Sequence, residues 1–458
     1  MDNFREVDDL VKTTKGAPSI VFEGYTFRKD KSDPKGQFHF WRCRHKGCPG
    51  RLTSDAEMKR AKLTKPHQGH MPNKKVGQAT KVVEKIKERV MNEKIPVNRI
   101  YREETRAVAD DQEALALIPT FAHMKSAFYK SRRQAFGPVP ASLELLEVPE
   151  QLQRLENGER FLLYQEQGNQ ILVFRTEKDF RTVCTSDELF VDGTFDAVPS
   201  FFSQLFTVHT FTGEKQFPRL YCFLENKTSD IYTRLINALK VFATSRCVSF
   251  APRRITSDFE SGWIAAVSES LPTTSISGCF FHFTQAIIRK VSTMGLMTKY
   301  RDDDHFRNVV RQVMGLAFLP LDRVLPTIGE ISDAQRDEET VQFIEYFMGQ
   351  WIVRIRPEMW NVRGRVHRTN NDLESCHNRI NQDVGKSKNV FFIFQALMND
   401  HIDSTVLECQ IQSGLAIVSG KRKDVEKNAS IARLEQDLES GKKDAKEFCL
   451  AVGSLMAK

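Results

Sequence analysis

Asp192 interrupts an apolar stretch, Phe190-Val191-Asp192-Gly193-Thr194-Phe195, and Asp258 follows directly on a β-rich one, Arg254–Thr256. Burying an unpaired carboxylate costs several kcal/mol, a cost that a bound metal ion relieves. A third acid, Glu374, stands in a segment where Thr369 or Asn370 suits a helix N-cap. On the helix expected to follow, Asn370, Glu374, His377, Asn378 and Asn381 fall at i, i+4, i+7, i+8 and i+11. That is one polar stripe, where a surface helix usually shows an apolar one. Together the three acids could hold two hard divalent cations, Mg²⁺ or Mn²⁺, through carboxylate and water oxygens. Two such ions ~3.5–4 Å apart clamp a phosphodiester, one activating the attacking oxygen and the other stabilising the leaving one. The bland alternatives are a capping or surface carboxylate for each Asp alone, and a solvated face for the Glu374 helix.

A second constellation has different chemistry. Cys43 and Cys48 are separated by four residues, and His67 and His70 follow about twenty residues later. Two thiolates with one or two imidazoles make a tetrahedral zinc site. A module as short as residues 18–70 buries too little apolar surface to stand alone and needs a staple. Zinc supplies ~10–16 kcal/mol at neutral pH. Arg42, Arg44, Lys46 and Arg51 bracket the thiolates and are the expected phosphate contacts. The aromatic set Phe22, Tyr25, Phe27, Phe38, Phe40 and Trp41 is expected in the core. Two buried free thiols beside surface histidines are the alternative. A smaller pattern, Cys279-x2-His282, could complete a second zinc site with His377 or Cys376; having only two local ligands, it favours a structural or strand-contacting role.

Charge is divided to match. The chain of 458 residues holds 67 Lys+Arg and 59 Asp+Glu, a net +8. Residues 1–135 hold 29 and 17 of these, or +12, and residues 136–458 hold 38 and 42, or −4. Residues 12–75 alone hold 16 and 5, or +11. So local an excess is the footprint of a polyanion-binding module on a near-neutral body. With 40% hydrophobic residues the chain is not wholly disordered. Its longest apolar runs, such as Val390 to Phe394, fall far short of the ~20 residues that cross a membrane. The acidic start, MDNFREVDDL, does not read as a secretory signal. Nine scattered cysteines, an odd number, argue against a disulfide scaffold and for a reducing compartment.

The elements that must position these residues are legible in outline. Residues 12–75 read as short strands with a turn at Asp33-Pro34-Lys35-Gly36. Residues 76–140 read as three helices, the first ended by Pro96, forming either a helix-turn-helix DNA-binding unit or a spacer. Gly137-Pro138-Val139-Pro140 marks a boundary. Beyond it, Arg160–Gln165 and Gln170–Arg175 form a hairpin, and Leu189–Phe195, Gln204–Phe211 and Arg219–Glu225 read as three consecutive strands. A helix over Asp230–Thr244, a strand leading to Asp258, a strand-like Thr274–Phe281 and a helix over Thr284–Val291 follow. Three antiparallel strands and then alternating helix and strand is the order of an RNase H-like fold. Asp258 and Glu374 are 116 residues apart, too far for one crossover, and a helix-rich insertion at about 295–360 supplies the difference. The expected architecture is multidomain: a small β-rich zinc finger, and an α/β RNase H-like catalytic domain over 141–400 with an all-α insertion. A helical tail over 401–458 follows, and Lys421-Arg422-Lys423 is a weak nuclear-import signal.

Two resemblances rest on these residues. The order Phe22, Tyr25, Trp41, Cys43, Cys48, His70 resembles the FLYWCH-type zinc finger. That family usually ends in His-x-His; here Gln68 stands at the first histidine, so His70 matches and His67 substitutes. Residues 185–385 resemble the Mutator-like element (MULE) transposase domain. The matching motifs are Val191-Asp192-Gly193-Thr194-Phe195, Pro218 to Lys227, Ser257-Asp258-Phe259-Glu260, Cys279-x2-His282, and Asn370-Asn371-x-x-Glu374-x-x-His377. The resemblance implies a DDE triad of Asp192, Asp258 and Glu374 binding Mg²⁺ or Mn²⁺, and a nuclear cut-and-paste transposase. Such an enzyme binds double-stranded DNA, at terminal inverted repeats and target, and acts as a homo-oligomer. The alternative is a domesticated descendant that binds DNA and regulates transcription without transposing.

Overall fold

The computed structural model describes residues 4–12, 17–93, 97–136, 140–195, 198–199, 201–365, 367–368, 371–384, 389–414 and 422–456. Of these, the side chains of 133, 135, 136, 371, 372, 374, 383 and 422–424 are outside the described set. Pro96, Thr369, Asn370 and the 137–139 boundary therefore lie outside it, as do the side chains of Lys421-Arg422-Lys423 and of Glu374. The chain divides into two compact units, Met1–Val139 and Pro140–Lys458.

The first unit opens with β1 (Arg5–Glu6), β2 (Asp9–Lys12), β3 (Pro18–Phe22), β4 (Tyr25–Ser32), β5 (Phe38–Cys43), β6 (Arg51–Asp55) and β7 (Arg60–Lys65). They form one antiparallel sheet in the order β1-β7-β6-β5-β4-β3-β2. The β3–β4 turn places Glu23 and Gly24 at φ 49° and 75°, and a side chain at Gly24 would also press on the Asn73 backbone. Period-two alternation splits the aromatic set expected in the core. Phe22, Phe27 and Trp41 are buried, with Trp41 Nε1 donating to Ser54 Oγ at 2.9 Å. Phe38 and Phe40 fall on the opposite face of β5, and Phe38 is exposed.

Four helices follow rather than three: α1 (Val76–Asn92), α2 (Val97–Arg106), α3 (Gln112–Leu117) and α4 (Phe121–Phe136). The unanticipated α3 is only six residues long and is capped by Asp111, whose side chain accepts from the Ala114 amide. The stripe Val82, Ile86, Val90 packs with Val97, Ile100 and Phe128. Arg132, on the basic face of α4, is buried and donates to the carbonyls of Val90 and Glu93, closing the end of α1.

The second unit begins with α5 (Glu150–Gln153), β8 (Leu162–Gln165), β9 (Ile171–Phe174), α6 (Glu177–Thr185), β10 (Glu188–Thr194), β11 (Gln204–Thr212) and β12 (Lys215–Leu224). Then come α7 (Ser229–Ser245), β13 (Arg254–Ser257), α8 (Ser261–Ser270), β14 (Ser275–Gly278) and α9 (Phe280–Thr293). The sheet order is β14-β13-β10-β11-β12-β9-β8. β10, β11 and β12 run antiparallel, while β13 and β14 run parallel to β10 on its other side. The strand expected over Thr274–Phe281 ends at Gly278, because Cys279 caps α9, which starts four residues earlier than its apolar spacing indicated. One sheet face packs Leu189, Val191, Phe206 and Ile255 against Leu235 and Ile236 of α7 and Trp263 of α8.

The helical remainder comprises α10 (Met297–Asp302), α11 (Asp304–Gly315), α12 (Leu321–Asp333), α13 (Glu338–Phe347), α14 (Pro357–Trp360), α15 (Asn371–Val384), α16 (Val390–Gln412), α17 (Arg422–Glu439) and α18 (Ala445–Met456). A π-helical stretch, Met348–Arg354, joins α13 to α14. The boundary expected at 400/401 falls inside α16, and Ile431, Leu438, Phe448 and Val452 share a core with Val309, Phe318 and Trp351. The helices α17 and α18 are thus packed into the helical core. All nine cysteines are free thiols. Among the described residues no helix is long and apolar enough to cross a membrane.

Candidate metal centre and carboxylate site

Cys43 ends β5, Cys48 lies in the loop leading to β6, and His67 and His70 follow β7. Their ligand atoms lie within 4.8 Å of one another. Cys43 Sγ is 3.4 Å from His70 Nε2, Cys48 Sγ is 3.4 Å from His67 Nδ1, and the two imidazole nitrogens are 3.3 Å apart. Zinc bond lengths put the S–N and N–N edges of a tetrahedron at about 3.5 and 3.3 Å, so the four side chains fit zinc. Both histidines converge, one through Nδ1 and the other through Nε2. His67 is held by stacking on Tyr25 at 3.6 Å, and His70 by stacking on His45 at 4.2 Å. The backbone amides of His45 and Gly50 donate to the sulfurs of Cys43 and Cys48. Burial raises the Cys43 thiol. Burial also works to raise Cys48, but amide donors from Gln68 and Gly50 bring it below the ordinary thiol value. Gly50 is small by necessity, since a Cβ there would lie 2.8 Å from His67 Nδ1.

Of the four cations expected at phosphates, two are engaged within the protein. Arg42 pairs with Asp30 at 2.7 Å, and Arg51 donates to the carbonyls of Pro49 and Gly50. Arg44 and Lys46 are exposed beside the cluster.

In the second unit, β10 and β13 pair in parallel with Phe190 opposite Thr256. The ladder ends at that pair; Asp192 lies two residues further along β10, and Asp258 is the first residue beyond the end of β13. Asp192 is 8% exposed and accepts from the Gly193 amide. Behind it, Thr207 Oγ1 lies 3.0 Å from His377 Nε2, while His377 Nδ1 is 3.9 Å from Asp192 Oδ2. Burial pulls the His377 imidazole down to about 4. Asp258 accepts from the Glu260 amide.

On the opposite sheet face a relay runs from Gln204 through Tyr232 to Glu260, with 2.5 and 2.9 Å links. Gly193 leaves room for it, since a side chain there would meet Gln204 Oε1 at 2.5 Å. Burial raises the Glu260 carboxyl, and the charge of Asp258 adds to the rise. Glu260 is thus a second acid beside Asp258 that its motif contained but that was given no role; its signal was the i+2 spacing from Asp258.

The described members of the polar stripe on α15 divide: His377 is buried, Asn381 is half-buried and Asn378 is exposed. Leu373, Cys376, His377, Ile380 and Val384 face inward and Asn378 is exposed, because an apolar set at i, i+3, i+7 and i+11 overlaps the polar one. Glu374 lies one turn before His377 and Asn378 on this helix, with its side chain outside the described residues. The helix is tied down by Asp400 of α16. That carboxylate is 3% exposed and accepts from Tyr221 of β12, from the Cys376 thiol and from Arg379.

Cys279 and His282 join no metal cluster among the described residues, where the Cys43–His70 set is the one grouping found. Cys376 is committed to Asp400 and His377 contacts Thr207, so neither completes a second zinc site with them. The Cys279 amide donates to the Ser257 carbonyl at 2.7 Å, tying the start of α9 to the strand end that carries Asp258.

The two sites define a chain that joins a zinc-stapled β module to a carboxylate-bearing α/β body. Residues 10–70 match the FLYWCH zinc finger domain, and residues 189–286 match the MULE transposase domain. The chain therefore carries both domains, a combination that marks a transposase-like DNA-binding protein. The first match contains all four zinc ligands; the second contains Asp192, Asp258, Cys279 and His282 and ends before Glu374. No curated protein matches the chain.

Proposed function

We propose that this protein is a Mutator-like DDE transposase whose second unit is an RNase H-like catalytic domain. The observation that carries the reading is the parallel pairing of β10 with β13 inside the MULE match, which sets the strand carrying Asp192 beside the strand that leads into Asp258. Asp192, Asp258 and Glu374 form the acid triad, and their all-oxygen donor set suits Mg²⁺ or Mn²⁺. When bound, such ions activate an attacking hydroxyl and stabilise the departing oxygen of a DNA phosphodiester. The protein's own part is positional. Strand pairing fixes the two aspartates, Thr207 and His377 support Asp192, and Asp400 anchors the helix bearing Glu374. The zinc finger, with Arg44 and Lys46 outermost, docks on the terminal inverted repeats, and two or more protomers pair the ends in the nucleus.

Mg²⁺-dependent nicking of transposon-end duplex tests the reading. It should be present in the unsubstituted protein and fall by at least a thousandfold in Asp258→Ala, as expected when a ligand to the reacting centre is lost. Nicking that survives this change would remove the catalytic assignment. Specific DNA binding with no nicking under any divalent ion would select the domesticated regulator. A monomer on end DNA in sedimentation, or a fluorescent fusion excluded from nuclei, would remove those parts of the reading.

A further inference from the structure

Along the edge strand β14 runs a groove of about 1030 Å³, bounded by α8, the π-helical stretch Met348–Arg354 and α14. Arg254, Arg354, Arg356 and Arg365 line it, against the single carboxylate Glu358. Among the described residues none of the four guanidinium groups has an ion-pair partner. Elsewhere in the same unit arginines find acids readily, as in Arg181–Glu177 at 2.9 Å, Arg234–Glu166 at 2.8 Å and Arg363–Glu439 at 2.7 Å. The groove is the more unusual because the surrounding unit is net −4; residues 136–139 carry no charge, so 136–458 and 140–458 have the same balance.

Two further features point to an anionic occupant. Burial, followed by repulsion from Arg254, lowers the Arg365 guanidinium, while Glu188, opposite Arg254 on β10, offsets part of that repulsion. A like-charged pair of this kind is relieved by a bound anion, and the planar guanidinium fork matches phosphate oxygens two at a time. The wall bearing Arg354 and Arg356 is rigid. Trp360 Nε1 donates to the Trp351 carbonyl at 2.7 Å and the Trp360 ring stacks on Phe283 at 5.0 Å, so the arginines are presented on a fixed ridge. π-helical stretches of this kind concentrate at functional sites. One of the residues lining the groove is Phe259, which follows Asp258 in the chain.

We propose that this groove is a second DNA contact, separate from the finger, in which the four arginines hold the phosphates of one strand beside Asp258. The proposal rests on the DNA-processing reading above. Its volume admits a short run of one sugar–phosphate backbone, and Phe259 in its lining makes it a track by which a strand leaves or enters the carboxylate site.

The test uses zinc-loaded full-length protein and a fluorescein-labelled random-sequence duplex, with affinity read by anisotropy across a salt series. Arg354 and Arg356 are exposed, so the R354E/R356E protein should keep its unfolding temperature. It should bind the duplex at least roughly tenfold more weakly at low salt, and its log-affinity against log-salt slope should shrink by about two. The same double change placed on Cys43→Ser should remove the salt-dependent binding that the Cys43→Ser protein retains. Unchanged affinity and slope in R354E/R356E, with Cys43→Ser weakened, overturn the groove and leave the finger reading standing. Loss of polyglutamate binding with duplex binding intact overturns it in favour of an acidic peptide. Failure of the unsubstituted protein to bind duplex removes the DNA reading itself, and the groove with it.

Discussion

His401 shows how single residues in the second unit are held in an unusual protonation state. Its ring is buried among Arg175, Asp179, Arg219, Asp400 and Phe161. Burial, then the positive charge of Arg175, brings its pKa down to about 4, while Asp179 and Asp400 pull the other way. An unfolded imidazole titrates near 6.5. The unfolded chain therefore takes up a proton first as pH falls, so the contribution is whole above about pH 6.5 and is lost between there and about 4. At 1.36 kcal/mol per unit, it amounts to at most roughly 3 kcal/mol. His209 acts in the same sense: burial holds it well below its ordinary value, with His377, Arg175, Arg379 and Arg219 adding repulsion. Urea midpoints should fall between pH 7 and 5, and fall less in His401→Gln. Equal slopes for the two proteins would show that His401 is not held neutral. None of this was legible in the sequence, since His401 and Arg175 are 226 positions apart and only the packing of α16 brings them together. The zinc ligands were legible because their spacing is local.

At the scale of elements, the crossing of α11 and α18 explains why the last helices are not a free tail. Their apolar spacing at Leu438 and Phe448 could be read directly, but their partner could not, because the recognition is made by absent side chains. A methyl group at Gly453 would overlap the Arg311 carbonyl, and one at Gly315 would overlap the Cys449 carbonyl. The two backbones touch through paired glycines, and backbone cannot yield as a side-chain tip can. Gly453→Ala should therefore destabilise the second unit by about 1–3 kcal/mol, the usual range for overpacking, despite alanine's better helix propensity. Chemical denaturation checks the sign; a more stable Gly453→Ala protein would mean that the helices do not cross here. The α15 helix teaches the complementary point. Two stripes of different chemistry overlap on it, and the buried face takes Leu373, Cys376 and Ile380 of the apolar one together with His377 of the polar one. The strands of the MULE match were legible to within a residue or two at most ends, since apolar runs bounded by turn residues leave few other readings.

At the scale of the whole molecule, the two units differ in what holds them together. The sheet of the first unit has a small core of Ile20, Phe22, Phe27, Trp41, Leu52 and Ala61 around the two zinc thiols. The second has two extensive apolar clusters, one between the sheet and helices α7 and α8 and one in the helical remainder, and its described residues include no grouping of metal ligands. A small core stapled by zinc loses most of its stability with the metal, whereas a large apolar one is indifferent to it. Tryptophan placement makes the difference measurable in the full chain. Trp41 alone reports on the first unit, and Trp263, Trp351 and Trp360 report on the second. A zinc chelator at neutral pH should expose Trp41 and abolish the calorimetric transition of the zinc-bearing sheet while the second unit's transition stays within a degree or two of its original temperature. Trp41→Phe should silence the fluorescence change without altering the calorimetry. If the chelator instead moved both transitions together, the units would be one cooperative body; if it moved neither, Cys43, Cys48, His67 and His70 would hold no ion that matters to folding.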